Sequence, residues 1–195
     1  MLHKKFENTK IILASGSPRR QEFFKNLDLN FEIRLKEIEE IFPDTLQSLE
    51  ITDYLAQLKA SAFDDELLQN ELLITSDTLV WLNGKALGKP SDYDGAFKML
   101  QTLSNATHDV ITSVCFKTKD KTEIINDITK VTFGELSNDA IAYYLDNYKP
   151  FDKAGSYGIQ EWIGLIGITK IDGSYTNVVG LPTEKVYQYL LNFKF

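Results

Sequence analysis

Only one cysteine, Cys115, occurs in the 195 residues, so no internal disulfide can form and no second thiol is at hand for a zinc site; a reducing cytoplasm suits such a chain. Histidine is nearly as scarce, and His3 and His108 have no partner at metal-ligand spacing. No apolar run approaches the roughly 20 residues needed to span a bilayer, and the amino-terminal MLHKKFENTK lacks the apolar core of a secretory signal. The expectation is a cytoplasmic protein with no membrane association. Positive charge is in deficit, with 21 Lys and Arg against 28 Asp and Glu and a formal net charge of −7. That balance gives no electrostatic footprint for a long nucleic acid, although a small anion needs only a local cluster of cations. Neither GxGxxG nor GxxxxGKS is present, and no Ser-His-Asp arrangement stands out.

Apolar residues at 43% and charged residues at 25% are ordinary for a globular protein able to bury a sizeable core. Strand and helix patterns alternate along the whole length with no low-complexity linker and no repeat, which predicts an α/β fold and a single domain over residues 1–195. Residues 11–14 read as a buried strand, Ser15-Gly16-Ser17 as a turn, and Pro18 as the first residue of a helix with Ser17 as its N-cap. A second strand is expected over 30–35. Ile51, Tyr54, Leu55, Leu58 and Ala62 fall at helical spacing, with Lys59 beside that stripe. Two apolar runs, 72–74 and 79–82, are interrupted by Ser76-Asp77 and closed by an Asn83-Gly84 hairpin turn. Ala96, Met99, Leu100 and Leu103 mark a third helix, and 108–117 with 122–133 a long strand pair. A fourth helix follows Ser137, a strand is expected over 165–171, and a last helix begins near Pro182.

Strand, small turn and helix start together make a place where free backbone N–H groups and the helix dipole favour an anion. Arg19 and Arg20 lie just inside that helix, where the dipole disfavours cations by about 0.3 to 1 kcal/mol each, so an anion held there would offset the cost. Alternatively, both arginines reach solvent or pair with Glu22 and Asp28. Asp77, between apolar strands, reads either as a metal-binding or proton-accepting carboxylate or as part of an ordinary turn. Glu37, Glu39 and Glu40 form an acidic loop whose default reading is a solvated face; it gains meaning only near Asp77, since Mg²⁺ takes one or two carboxylates plus substrate phosphates. Lys89, between Gly88 and Pro90, could have its amine aimed by the rigid backbone.

In order along the chain stand ASGSPRR, EE, LKA, SDT, LGKP, THDVITSV, AGSYGIQ and GSYTNVVGLP. Together they resemble the Maf family of nucleoside triphosphate pyrophosphatases over nearly the whole length. The resemblance implies a mixed α/β fold with a long sheet flanked by helices and two lobes around a cleft, akin to the inosine triphosphate pyrophosphatases. It implies hydrolysis between the α- and β-phosphates with Mg²⁺ or Mn²⁺. By the same resemblance, Asp77 is the general base, Ser15, Arg20, Lys59 and Lys89 line the phosphates, and Glu40 with Asp77 holds the metal. Arg19, Thr78 and Gln160 match the subgroup associated with dTTP and UTP rather than the one acting on 7-methyl-GTP. Glutamine suits a pyrimidine edge because its amide both donates and accepts. Glu161-Trp162 departs from the family's glycine-rich pair and bears on the shape of the loop carrying Gln160. A nucleotide-sensing protein of septum formation and a purine-directed, ITP-type pyrophosphatase are the alternatives. A homodimer is expected because two-fold dimers are the commonest soluble oligomers.

Overall fold

The structure, a computed structural model, describes residues 2–194. In chain order its elements are α1 (Leu2–Lys5), β1 (Lys10–Leu13), α2 (Pro18–Asn26), β2 (Phe31–Ile33), α3 (Leu49–Ser61), β3 (Glu71–Leu82), β4 (Lys85–Leu87), α4 (Tyr93–Leu103), β5 (Thr107–Lys117), β6 (Thr122–Phe133), α5 (Asn138–Tyr148), α6 (Trp162–Gly167), β7 (Ile168–Asp172), α7 (Tyr175–Val179) and α8 (Thr183–Asn192), with a single 3-10 turn at Ala154–Ser156. Seven strands form one mixed sheet in the order β2-β1-β3-β5-β6-β7, with β4 paired to β3. Strand β1 runs parallel to β2 and β3, whereas β3–β4 and β6–β7 are antiparallel. Among the described residues no helix is long and apolar enough to cross a membrane.

The chain divides into two compact units. The first holds, among the described residues, 2–77, 112–127 and 180–194; the second holds Thr78–Ile111 and Ile128–Val179. Side chains alternate across a strand, and the first unit uses both faces. Ile11, Leu13, Leu72, Ile74, Val114 and Phe116 bury one face with Phe24 of α2 and Val186 and Leu190 of α8. Their sequence neighbours Ile12, Leu73 and Cys115 turn the other way, onto Ala56 and Ala60 of α3 and onto Phe63 and Leu67. The second unit has a single core, in which Val80, Leu82, Val110, Val131 and Phe133 pack with residues of α4, α5 and α6.

The hairpin turn forms as expected. Asn83 and Gly84 both adopt positive φ, 51° and 77°, the pairing of left-handed residues that a two-residue turn of the twist-matching type requires, and Leu82 pairs with Lys85. Three expectations change. The runs 72–74 and 79–82 are one unbroken strand, because Thr75, Ser76 and Asp77 between them are buried and Thr75 Oγ1 donates to Ala56 O at 2.6 Å. The strand expected over 165–171 starts only at Ile168; the residues before it coil as α6. The strand expected over 30–35 is the three-residue β2.

Candidate active site

Two carboxylates meet on one ammonium in the first unit. Lys59, near the end of α3, places its Nζ 2.6 Å from Asp77 Oδ1 on β3 and 3.0 Å from Glu40 Oε1 in the loop after β2. A buried carboxylate is tolerated only when paired, and Asp77 is buried. The acidic loop therefore does reach Asp77, through Glu40; Glu37 and Glu39 stay exposed. Helix α3 is itself fixed by a polar network. Thr52 Oγ1 and Ser113 Oγ lie 2.7 Å apart, Ser113 Oγ donates to Asp53 Oδ1 at 2.6 Å, and Asn126 Nδ2 donates to both Asp53 oxygens. Thr52, Asp53 and Asn126 carry no motif that marks them in the sequence. Their signal was Ser113, a polar residue inside the apolar run VITSVCF, which when buried needs a partner.

Beside this pair lies the turn after β1. Ser15 is buried, and Ser17 occupies the N-cap of α2 without a capping bond from its side chain. Arg20 Nε donates to Gly180 O at 2.8 Å and its Nη1 to Ser76 O at 2.9 Å, with Ser15 Oγ at 3.5 Å. Arg20 is thus half-buried and turned toward backbone carbonyls, while Glu22 faces Lys25 at 3.8 Å and Asp28 faces His3 at 3.2 Å. Burial lowers the Arg20 pKa, Asp77 foremost opposes that shift, Arg19 reinforces it, and Glu40 opposes it again. Arg19, Arg20, Glu40, Lys59 and Asp77 are one electrostatic neighbourhood. The buried Ser76 hydroxyl has no hydrogen-bond partner among the described residues.

Three residues singled out in the sequence belong to the second unit. Thr78 follows Asp77 in β3, half-buried, with its side chain on the opposite face by strand alternation. Lys89 is exposed in the stretch after β4, and Gln160 is exposed in the loop before α6. A backbone bond from Gly155 N to Gly88 O, 3.1 Å, ties those two stretches together.

Among the described residues no three His, Cys, Asp or Glu side chains gather as a metal-holding group. Two hard carboxylate oxygens nonetheless converge on a single cationic point, the Lys59 Nζ. That donor set fits Mg²⁺ or Mn²⁺ when a triphosphate supplies further oxygens, because Mg²⁺ is commonly held by one or two carboxylates plus substrate phosphates.

Comparison with known proteins agrees over almost the full length. The family described as Maf-like protein matches residues 10–193. The chain is 86% identical over 195 residues to a protein named dTTP/UTP pyrophosphatase from Flavobacterium psychrophilum, covering 100% of both. It is 62% identical over 190 residues to the protein of that name from Flavobacterium johnsoniae, covering 97% of this chain and 98% of the relative. The corresponding protein of Christiangramia forsetii is 54% identical over 190 residues, with 97% of each covered.

Proposed function

The chain belongs to the Maf family, and from that membership together with the Asp77–Lys59–Glu40 arrangement we propose that it hydrolyses dTTP and UTP to the monophosphate and pyrophosphate. The relatives bearing that name support the substrate class. The observation that carries the chemistry is Lys59 Nζ, 2.6 Å from Asp77 and 3.0 Å from Glu40. It puts a base candidate, a second carboxylate and a cation at one point.

In this reading Asp77 accepts a proton from water as the water oxygen attacks the α-phosphorus. The bond from that phosphorus to the bridging oxygen breaks, and pyrophosphate leaves with the electron pair. Arg20, held at two backbone carbonyls, is a preorganised charge for the phosphates and costs no reorganisation during the reaction. The uncapped start of α2 and the Ser15-Gly16-Ser17 turn offer backbone N–H groups to phosphate oxygens. Lys59, on a flexible stem, supplies a point charge to the triphosphate, and Lys89 a second. Asp77 and Glu40 would hold the divalent cation, which when bound polarises phosphate oxygens and offsets their charge. Arg19, Thr78 and Gln160 are assigned to recognition of the base.

The test is pyrophosphate release from a panel of dTTP, UTP, GTP and ITP with Mg²⁺ or Mn²⁺. Faster release from dTTP and UTP than from the purines is the expected result. No release from any member would leave a nucleotide sensor, and a preference for ITP a purine-directed enzyme; either overturns the proposal.

A further inference from the structure

Glu161 and Trp162, which follow Gln160, are both tied into the fold. Residues 158–161 form a turn in which Glu161 N donates to Gly158 O at 3.0 Å, so Ile159 and Gln160 are its two central residues. Ile159 is buried and Gln160 exposed. Both ends of the turn are tied to one phenol oxygen. Gly158 N donates to Tyr144 OH at 3.0 Å, and Tyr144 OH donates to Glu161 Oε2. Lys153 Nζ, 3.2 Å from Glu161 Oε1, holds the other oxygen of the same carboxylate.

Glu161 occupies the N-cap of α6, yet its side chain makes no capping bond. It folds back over the turn, so closely that a Cβ on Gly158 would lie 2.8 Å from its Cδ. Its neighbour Trp162 packs on Tyr143 of α5 with ring centroids 4.8 Å apart. A carboxylate kept only for solubility would stand in water; this one is placed between a phenol on α5 and an ammonium whose side chain is 10% exposed. The phenol is committed to donating: burial, and then the bond to Glu161, raise the Tyr144 pKa. Leu145 and Ile141, on the same helix, are core residues, so the anchor is rigid.

We propose that Glu161 is a positioning residue: clamped by Tyr144 and Lys153, it closes the turn that presents Gln160 and thereby sets selectivity for the base. The proposal rests on the reading of Gln160 as a base-recognition residue. These contacts fix both ends of the turn, and the backbone of Gln160 lies between them. A side chain that must offer its donor and acceptor to one base edge gains from such fixing, since ordering it on binding costs free energy that a preorganised loop does not spend.

The experiment compares wild type with Glu161→Ala, Glu161→Gln and Tyr144→Phe in hydrolysis of dTTP and GTP, and follows backbone amide exchange over residues 153–161. Glu161→Ala is expected to raise the KM for dTTP about tenfold with kcat within about twofold, to shrink the dTTP-to-GTP ratio of kcat/KM by a similar factor, and to speed amide exchange in the turn. Glu161→Gln, which still accepts from Tyr144, is expected to recover most of the ratio, and Tyr144→Phe to lose it. Equal loss for both nucleotides, or an unchanged ratio in Glu161→Ala, overturns the selectivity role. If Glu161→Ala fails to fold, a Tyr144→Phe protein with wild-type ratio and wild-type exchange overturns it equally. Wild-type protein that releases no pyrophosphate from dTTP would sink the functional reading and the selectivity role with it, while the amide exchange of the variants still decides whether the clamp exists.

Discussion

The two units handle buried polarity in opposite ways. Glu71 and Asp77, both buried carboxylates, lie in the first unit; the buried polar residues of the second are His108, Thr129, Ser156 and Asn177, none of them carrying formal charge at neutral pH. In the first unit every buried charge has a cation against it. Lys59 meets Asp77 at 2.6 Å, and Arg34 meets Glu71 at 3.1 Å with Lys10 at 3.9 Å. In the second, shape comes from packed rings: His108 stacks on Phe133 and stands edge-on to Tyr157, which in turn stands edge-on to Phe133. The difference teaches that the charges of the proposed chemistry are supported by ion pairs to buried carboxylates, whereas the second unit buries no carboxylate and holds its recognition turn by aromatic packing, backbone bonds and the partly exposed Tyr144–Glu161–Lys153 clamp.

The sharpest way to break that comparison is at Asp77. Asp77→Asn keeps the side-chain size and an oxygen for Lys59 but removes the charge and the proton-accepting capacity. Pyrophosphate release from dTTP is expected to fall about 10²- to 10⁴-fold, the range for loss of a general base, with little change in the loop exchange of the second unit. Near-normal turnover in this variant would remove Asp77 from the chemistry.

The reverse experiment is at Gly155, where φ is +68° and a Cβ would lie 2.8 Å from Val80 Cγ2. Gly155→Ala combines left-handed strain with overpacking and is expected to cost about 2 to 3 kcal/mol of stability by denaturant unfolding. Because Gly155 N also holds Gly88 O, the loops bearing Lys89 and Gln160 should loosen together, seen as faster amide exchange in both. A stability within error of wild type would show that this packing is not what shapes the second unit.

The smallest effect expected is pH-dependent. Burial lowers the His108 pKa from 6.5 to about 4, so the folded protein holds this ring neutral while the unfolded chain takes up a proton below pH 6.5. Stability from this group is complete above 6.5 and is lost as pH falls toward 4, amounting to about 2 kcal/mol between pH 7 and pH 5. The first unit responds lower. Burial works to raise the Glu71 pKa, but the bond from Arg34, the Leu68 N–H and the charges of Arg34 and Lys10 leave it below 4.5. Its contribution is present above 4.5 and lost only as pH falls further. Urea midpoints between pH 7 and pH 5 should therefore decline in wild type and stay flatter in His108→Gln; parallel declines would assign the window to other groups.

Much of this arrangement was legible in the residues. The strand-turn-helix of 10–26, the hairpin at Asn83-Gly84 and the helix after Ser137, whose hydroxyl accepts from Ala140 N at 3.2 Å, all appear where local chemistry puts them. The motif SDT was harder to read, since a polar triplet inside an apolar run looks like an interruption; only the partners Ala56 O and Lys59 make it a continuous strand. The sequence allows Arg20 a phosphate, solvent or the acidic neighbours Glu22 and Asp28, and its two carbonyl partners, one of them 160 residues away, have no signature in a single sequence.

The sequence by itself determined the alternation of strands and helices, the turn types and the membership in the family, because each depends on neighbours a few residues apart or on motifs kept in order. Only the tertiary structure decided that Glu40 and Asp77 share Lys59 and that Glu161 turns back onto Tyr144 and Lys153. Those contacts join side chains distant along the chain, and which charge finds which partner is set by how α3 lies on β3 and how the 158–161 turn lies on α5.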